Sequence, residues 1–370
     1  MSKKFSFKTM MIFAGSYVAT VIGSGYATGQ EILQFFSVYG LSGFLAGTVS
    51  MVLFSVLGAE VLYRGTVTKP KDSMKIFTFY TGKLIGTFLD YFVPLFLFAV
   101  LVIMISGAGS TLTEYYGMPN YVGRVGLAIL AYFTVSLGLK RLADIIGYIG
   151  PVIIVFTILL SIFSILRNID NLQVALEALN AADVGKPAPN AFISGILYAS
   201  YNVIMVVAFL AGLGSTTDDT RVSKAGGILG GISLMIAAIL MYFAILCQFN
   251  ILQGKTIPTL FLADQISPTL AILFSIILLL GIFSTAVPLL WQCTNRFVND
   301  DHPKFKIISL GIAALALIGG FLPFDKLVST VYPFTGWLGI FVLMLIGYKS
   351  FKLKKENRTG ADEVHKLERQ

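Results

Sequence analysis

Charge is scarce in this chain: Asp, Glu, Lys and Arg make up 12% of 370 residues, against about 25% in a soluble domain. A soluble enzyme with one anchor is excluded. Cysteine and histidine are scarcer, two of each. Cys247 and Cys293 fall in apolar runs and are expected on opposite sides of a membrane, which leaves no route to a disulfide. As isolated residues they also lack metal-site spacing. His302 and His365 lie in polar connectors, so no histidine proton relay crosses the apolar segments. No HExxH, GxSxG or usable pair of catalytic acids is present, which argues against an enzyme. The run Gly23-x-Gly25 resembles the start of a dinucleotide fingerprint. That motif must follow a strand and open a helix; here it interrupts an apolar run.

Hydrophobic residues make up 56% of the chain and recur in long runs from end to end. A β-barrel would show short alternating strands instead. The expected fold class is an all-α polytopic membrane protein with ten transmembrane helices at about 10–36, 40–64, 86–111, 120–139, 143–166, 190–213, 224–250, 268–294, 304–322 and 327–348. Each needs about 20 apolar residues, and the ninth is the shortest. Residues 1–9 form a basic N-terminus, 10–348 one transmembrane domain and 349–370 a basic tail, expected to be solvated and disordered from Lys352 onward. No cleavable signal peptide is expected, because a full-length span follows Lys3, Lys4 and Lys8 without a small-residue cleavage site.

Ten spans put both ends on one side. That side collects 22 of the 27 Lys and Arg residues. The other side keeps Arg124, Arg167, Lys186, Lys255 and Lys326. The positive-inside rule then places both termini in the cytoplasm of a bacterial cell membrane. The net charge of +8 is thus topology and lipid attraction, not a nucleic-acid footprint.

The most informative segment is Gly23-Ser24-Gly25-Tyr26-Ala27-Thr28-Gly29, in the middle of the first span. Glycine costs a helix about 1 kcal/mol relative to alanine. Backbone freed inside lipid costs several kcal/mol per group unless something meets it. A helix broken there predicts a solute or ion site. In the sixth span, Tyr198-Ala199-Ser200-Tyr201-Asn202 interrupts another apolar run, and Asn and Ser disfavour helix interiors. A second break is expected there. Spans one to five (10–166) and six to ten (190–347) would then form an inverted 5+5 repeat, with the site between the two breaks. Amides of Ser24, Gly25 and Tyr26 would open a half-helix and receive a carboxylate. Ala199, Ser200, Tyr201 and Asn202 would face them, their carbonyls receiving an ammonium.

At this point the chain resembles the leucine-transporter (LeuT) fold of the amino acid–polyamine–organocation superfamily. Its opening, from Gly23 through Gln30-Glu31 to Phe36, is most similar to the YkvI-type bacterial membrane proteins. The resemblance implies a sodium site where the family has one: backbone oxygens of Ala19, Ile22 and Gly281 with side-chain oxygens of Ser284 and Thr285. Oxygen donors suit this hard cation. Read alone, Ser284 and Thr285 could equally back-bond to their own helix. Some proton-coupled relatives place a lysine on the fifth span; this chain has none from Ile145 to Leu166.

Glu31 and Glu60 are the acids expected nearest membrane depth, and both are candidates for a coupling proton. Glu31 would otherwise fix the break, and Glu60 would be an interfacial carboxylate. Asp90 and Glu114 read as interfacial, Asp144 as a helix-start anion. Trp291, Gln292 and Asn295 read as pathway or interface groups. Gly43, Gly47, Gly226, Gly227, Gly230 and Gly231 have the spacing of helix contacts. Leu172, Leu176 and Leu179 predict a short amphipathic helix, and 251–267 a second outer cover. The expectation is a secondary transporter: a sodium-coupled symporter of a small zwitterion such as an amino acid. The alternatives are proton coupling through Glu31 or Glu60, or a non-transporting receptor on the same fold. No cofactor is expected beyond sodium as coupling ion. The partners are a small solute and the bilayer.

Overall fold

The computed structural model describes residues 5–71, 73–136, 149–298, 302–356 and 360–367, and all regular structure among them is helical. Seven of these helical segments are long and apolar enough to cross a membrane: 37–68, 75–116, 152–181, 191–215, 220–246, 268–295 and 324–355. Two shorter apolar helices, Phe7–Val21 and Phe305–Gly319, stand where the first and ninth spans were expected. Asn120–Ser136 stands at the fourth. The end of the fourth span and the start of the fifth, with Lys140, Arg141 and Asp144, lie outside the described residues.

The bundle is centred on the first, second, sixth and seventh spans. Helix Gly43–Thr68 packs along both Ala191–Ser215 and Thr220–Leu246. Small residues allow this. A methyl on Gly227 would overlap the Ala59 nitrogen, and one on Gly231 would lie 2.5 Å from the Ser55 nitrogen. The two backbones therefore touch, as small-residue faces permit in lipid.

The first span breaks where the glycines predict. Helix Phe7–Val21 ends, Ile22 and Gly23 are extended, and a single turn Ser24–Ala27 follows. Gly29, at φ 79°, supplies the left-handed residue before Gln30–Phe35.

The sixth span departs from expectation: Ala191–Ser215 is one continuous helix. Its polar side chains are answered within the helix. Ser200 Oγ donates to the Ile196 carbonyl at 2.5 Å, and Asn202 Nδ2 donates to the Tyr198 carbonyl at 2.9 Å. Back-bonding of this kind removes the competition with the backbone that would open a turn. The backbone carbonyls of Ala199 to Asn202 are therefore part of a helix and form no ammonium site.

Two further boundaries differ. The third span begins at Lys75, with Gly82 (φ 80°, ψ 173°) breaking its first turns from the rest. The tail is not a solvated strand of coil. Helix Phe324–Lys355 carries past Lys352, Gly360 turns the chain back at φ 78°, and Ala361–Leu367 forms a last helix. Val364 is fully buried, and Lys349 Nζ pairs with Glu363 at 2.5 Å. One apolar side chain and one ion pair thus anchor a segment whose composition reads as polar. The predicted connector helix forms as Leu172–Ala181, with Leu179 buried.

Candidate solute and ion site

Two clusters form around the break in the first span. The first meets the eighth span. Helix Phe7–Val21 leaves its last carbonyls without intrahelical partners, and Ala19 and Ile22 lie in that stretch. Thr285 Oγ1 lies 3.2 Å from the Ile22 oxygen and 3.1 Å from the Gly281 oxygen. Ser284 Oγ donates to the same Gly281 oxygen at 2.8 Å. Four of the five expected oxygens thus meet across two spans, with Ala19 one turn away on the first. The back-bonding read from sequence is also real, since both hydroxyls engage Gly281. Beside them a methyl on Gly281 would lie 2.5 Å from Ile153 Cδ1. An isoleucine of the fifth span therefore packs against Gly281.

The second cluster surrounds Glu31, which is 2% exposed. Its carboxylate folds back six residues over the break. A methyl on Gly25 would overlap Glu31 Oε1 and lie 2.6 Å from Cγ. Only glycine leaves room for that fold. Tyr201 donates its hydroxyl to Glu31 Oε2 at 2.7 Å. The Tyr26 amide and the Tyr198 and Tyr332 hydroxyls also face the carboxylate. The buried Ser24 Oγ closes no hydrogen bond of its own. The rings form a wall: Tyr201 stacks on Tyr332 with centroids 4.5 Å apart, and Phe35 and Phe36 pack against Tyr198 at 5.6 and 4.8 Å. Among the described ion pairs, none includes Glu31.

Ser24, Gly25, Tyr26, Tyr198 and Tyr201 therefore share one site, while Ser200 and Asn202 turn their polar atoms to their own helix. Glu60 is elsewhere. It accepts from Arg64 Nη2 at 2.6 Å and Ser350 Oγ at 2.8 Å, tying the second span to the tenth. Glu114 accepts from the Thr256 amide at 3.0 Å.

Several participants carried no local signal. Met104 Sδ accepts from the Ser24 amide at 3.4 Å. Thr259, in the connector helix Pro258–Ile266, donates its amide to the Thr28 oxygen at 3.1 Å and its hydroxyl to the Ala27 oxygen at 2.8 Å. This pairing satisfies carbonyls that the broken helix leaves open. Above the break lies a cavity of about 470 Å³, lined by Glu114, Asn120, Arg124, Lys255, Phe324 and Asp325 among others. A methyl on Gly107 would lie 3.0 Å from the Phe324 ring and 3.3 Å from Ser24 Cβ. Phe324, which lines the cavity, and Ser24 at the break thus both flank Gly107.

The same arrangement of helices recurs in solved transporters. The chain superposes on inward-facing Mhp1 with a TM-score of 0.60 at 14% identity, covering 88% of this chain and 72% of that one. MhsT in complex with L-phenylalanine gives 0.60 at 18%, covering 91% and 88%. A mutant of the manganese transporter of Eremococcus coleocola gives 0.55 at 13%, covering 94% and 87%. The chain has the LeuT fold. By sequence it is 26% identical over 333 residues to the membrane protein YkvI of Bacillus subtilis (strain 168), covering 88% of this chain and 91% of YkvI. It is 22% identical over 340 residues to YyaD of the same organism, covering 92% and 95%. No family model matches. With its repeated apolar helices, this LeuT-fold chain is a multi-pass membrane protein.

Proposed function

We propose that this protein is a secondary active transporter that couples sodium entry to uptake of a small solute by alternating access. The observation that carries this reading is the break at Ile22–Gly23, which exposes backbone to two side-chain clusters inside a bundle with the LeuT fold. Broken helices at membrane depth are the usual construction of such sites.

The oxygens of Ala19, Ile22, Gly281, Ser284 and Thr285 would hold sodium. Carbonyls and hydroxyls are hard, uncharged donors, suited to an ion that must be released in each cycle. Sodium there would replace the Thr285–Ile22 hydrogen bond with a bridge between the first and eighth spans. It would thereby favour whichever state keeps those spans together. The solute would sit on the other side of the break, among Ser24, Gly25, Tyr26, Tyr198 and Tyr201. The orientation with both termini in the cytoplasm follows the lysine and arginine distribution.

The test is uptake into proteoliposomes under a sodium gradient, with potassium as control. The wild-type protein should accumulate solute only with sodium, and Ser284→Ala with Thr285→Ala should abolish that dependence. Sodium dependence retained in the double variant would remove the ion assignment. Uptake driven by a pH gradient without sodium would favour proton coupling. Solute binding without flux would make the protein a receptor.

A further inference from the structure

We propose that Glu31 is the specificity-determining residue of the solute site. It selects a solute with a positively charged amine and no neighbouring carboxylate. The proposal rests on the transporter reading above and narrows its solute class away from amino acids.

Three observations carry it. The position at the break where a solute carboxylate would dock is already filled by the chain's own carboxylate. Glu31 Oε1 overlies Gly25, in the space a Cβ there would need, and the group faces the Tyr26 amide. A second carboxylate would meet a like charge in a medium that screens poorly. Next, Glu31 is 2% exposed and belongs to none of the described ion pairs. A buried carboxylate without a cation is costly, and a cationic solute removes that cost. Last, the surrounding wall has the composition of an ammonium site. Tyr198, Tyr201 and Tyr332 present rings and hydroxyl oxygens, with Phe35 behind them. Aromatic faces attract cations. The Tyr198 hydroxyl, which faces Glu31, and the Ser24 hydroxyl, which closes no hydrogen bond, offer lone pairs to a group that has three donors and no acceptor. In the enclosed conformation Tyr201 holds the carboxylate at 2.7 Å. An entering ammonium takes over that oxygen as the tyrosine wall parts.

The experiment uses the full-length protein, purified in detergent with sodium present, and matched pairs that differ only in the carboxylate: phenethylamine and phenylalanine, isoamylamine and leucine, cadaverine and lysine. Thermal unfolding is followed with increasing solute, since a ligand of the folded state raises the midpoint. At least one amine should stabilise the protein while its amino acid partner does not. Glu31→Gln should raise the half-effective amine concentration about a hundredfold or more, the scale of losing one partner of a buried charge pair. If Glu31→Gln fails to fold, Glu31→Asp keeps the charge one methylene short. It should weaken the amine response yet preserve the preference for amine over amino acid. Stabilisation by amino acids but not amines, or an unchanged response in Glu31→Gln, overturns the proposal. So does silence from every pair. Sodium-driven uptake of amino acids in proteoliposomes would sink this inference and leave the transporter standing. Uptake of neither class would sink the transporter reading itself.

Discussion

Placing a methyl on Gly25 tests whether the carboxylate is really folded over the break. In Gly25→Ala the new Cβ would overlap Glu31 Oε1 and lie 2.6 and 2.7 Å from Cγ and Cδ, all far inside van der Waals contact. Two relaxations are open. The carboxylate can swing away and lose the 2.7 Å bond from Tyr201, or the backbone can shift and strain its packing. A hydrogen bond to a charged group is worth about 1.5–3 kcal/mol, and overpacking costs about 1–3 kcal/mol. Whichever is cheaper, Gly25→Ala should destabilise by about 2 kcal/mol, a fall of about 2–3 °C in apparent melting temperature for a chain of this length. Unfolding of a detergent-solubilised membrane protein is often irreversible, so variants are compared by intrinsic fluorescence at one scan rate. The decisive measurement is the double variant. Glu31→Ala removes the clashing atoms, so Gly25→Ala should cost almost nothing in that background, although Glu31→Ala is itself destabilising. Independent sites add to within about 0.5 kcal/mol. Additive losses, or a Gly25→Ala protein as stable as wild type, would refute the folded-back geometry.

Three further outcomes follow from other contacts. Thr285→Val keeps the shape but removes the oxygen shared between Ile22 and Gly281; the sodium concentration for half-maximal uptake should rise at least about tenfold, the equivalent of 1.4 kcal/mol, and an unchanged value counts against the ion site. Thr259→Val deletes the hydroxyl bond to Ala27, so amide exchange over residues 27–29 should quicken about fivefold, for a bond worth about 1 kcal/mol. Asp219 caps helix Thr220–Leu246, and its hydrogen bonds from Arg221 hold its carboxyl below the usual range. A depressed folded-state pKa contributes stability above the unfolded value, near 3.9, that is lost as pH falls through the folded one. Melting temperature should therefore drop on acidification below about pH 4, and Asp219→Asn should flatten that limb.

The two expected helix breaks show what local chemistry reveals. Gly25 and Gly29 announce their break because each glycine is needed in place: room for Glu31 at Gly25, and φ 79° at Gly29. Ser200 and Asn202 announce nothing reliable. Their effect depends on where their side chains bond, and here both bond to the preceding turn. The pair of breaks was thus half legible. Glu31 was legible as a buried acid of consequence, but its partners were not. Tyr201 lies 170 positions away, and Tyr332 stands on the tenth span; only packing brings them together. The tail misleads in the opposite direction. Its composition is polar, yet one buried valine and the Lys349–Glu363 pair dock it. The oxygens proposed for sodium lie between these extremes: a Ser-Thr pair is common, and it gains meaning only when Ile22 stands 3.2 Å away.

The Phe324 ring gives a last prediction, about access. Phe324 lines the cavity of about 470 Å³, and its ring and Ser24 both flank Gly107. Phe324 is 1% exposed and would close a passage from the cavity to the break. Ser24 Oγ makes no hydrogen bond, so Ser24→Cys introduces a thiol without breaking one. The native Cys247 and Cys293 are both buried and can be replaced to clear the background. In the orientation proposed from the basic residues, the cavity would open outward. A membrane-impermeant thiol reagent added outside should label the introduced thiol slowly when Phe324 is present. It should label at least about tenfold faster in Phe324→Ala, where no ring remains between reagent and thiol. That opening lowers stability, because losing a buried phenylalanine costs about 3–5 kcal/mol. Labelling is therefore measured well below the variant's melting temperature. Equal rates in the two backgrounds would mean that the passage to the break runs elsewhere. Sodium adds a second handle: if it biases the first and eighth spans toward the outward-open state, it should speed labelling in the Phe324 background alone, since Phe324→Ala leaves little barrier for it to remove.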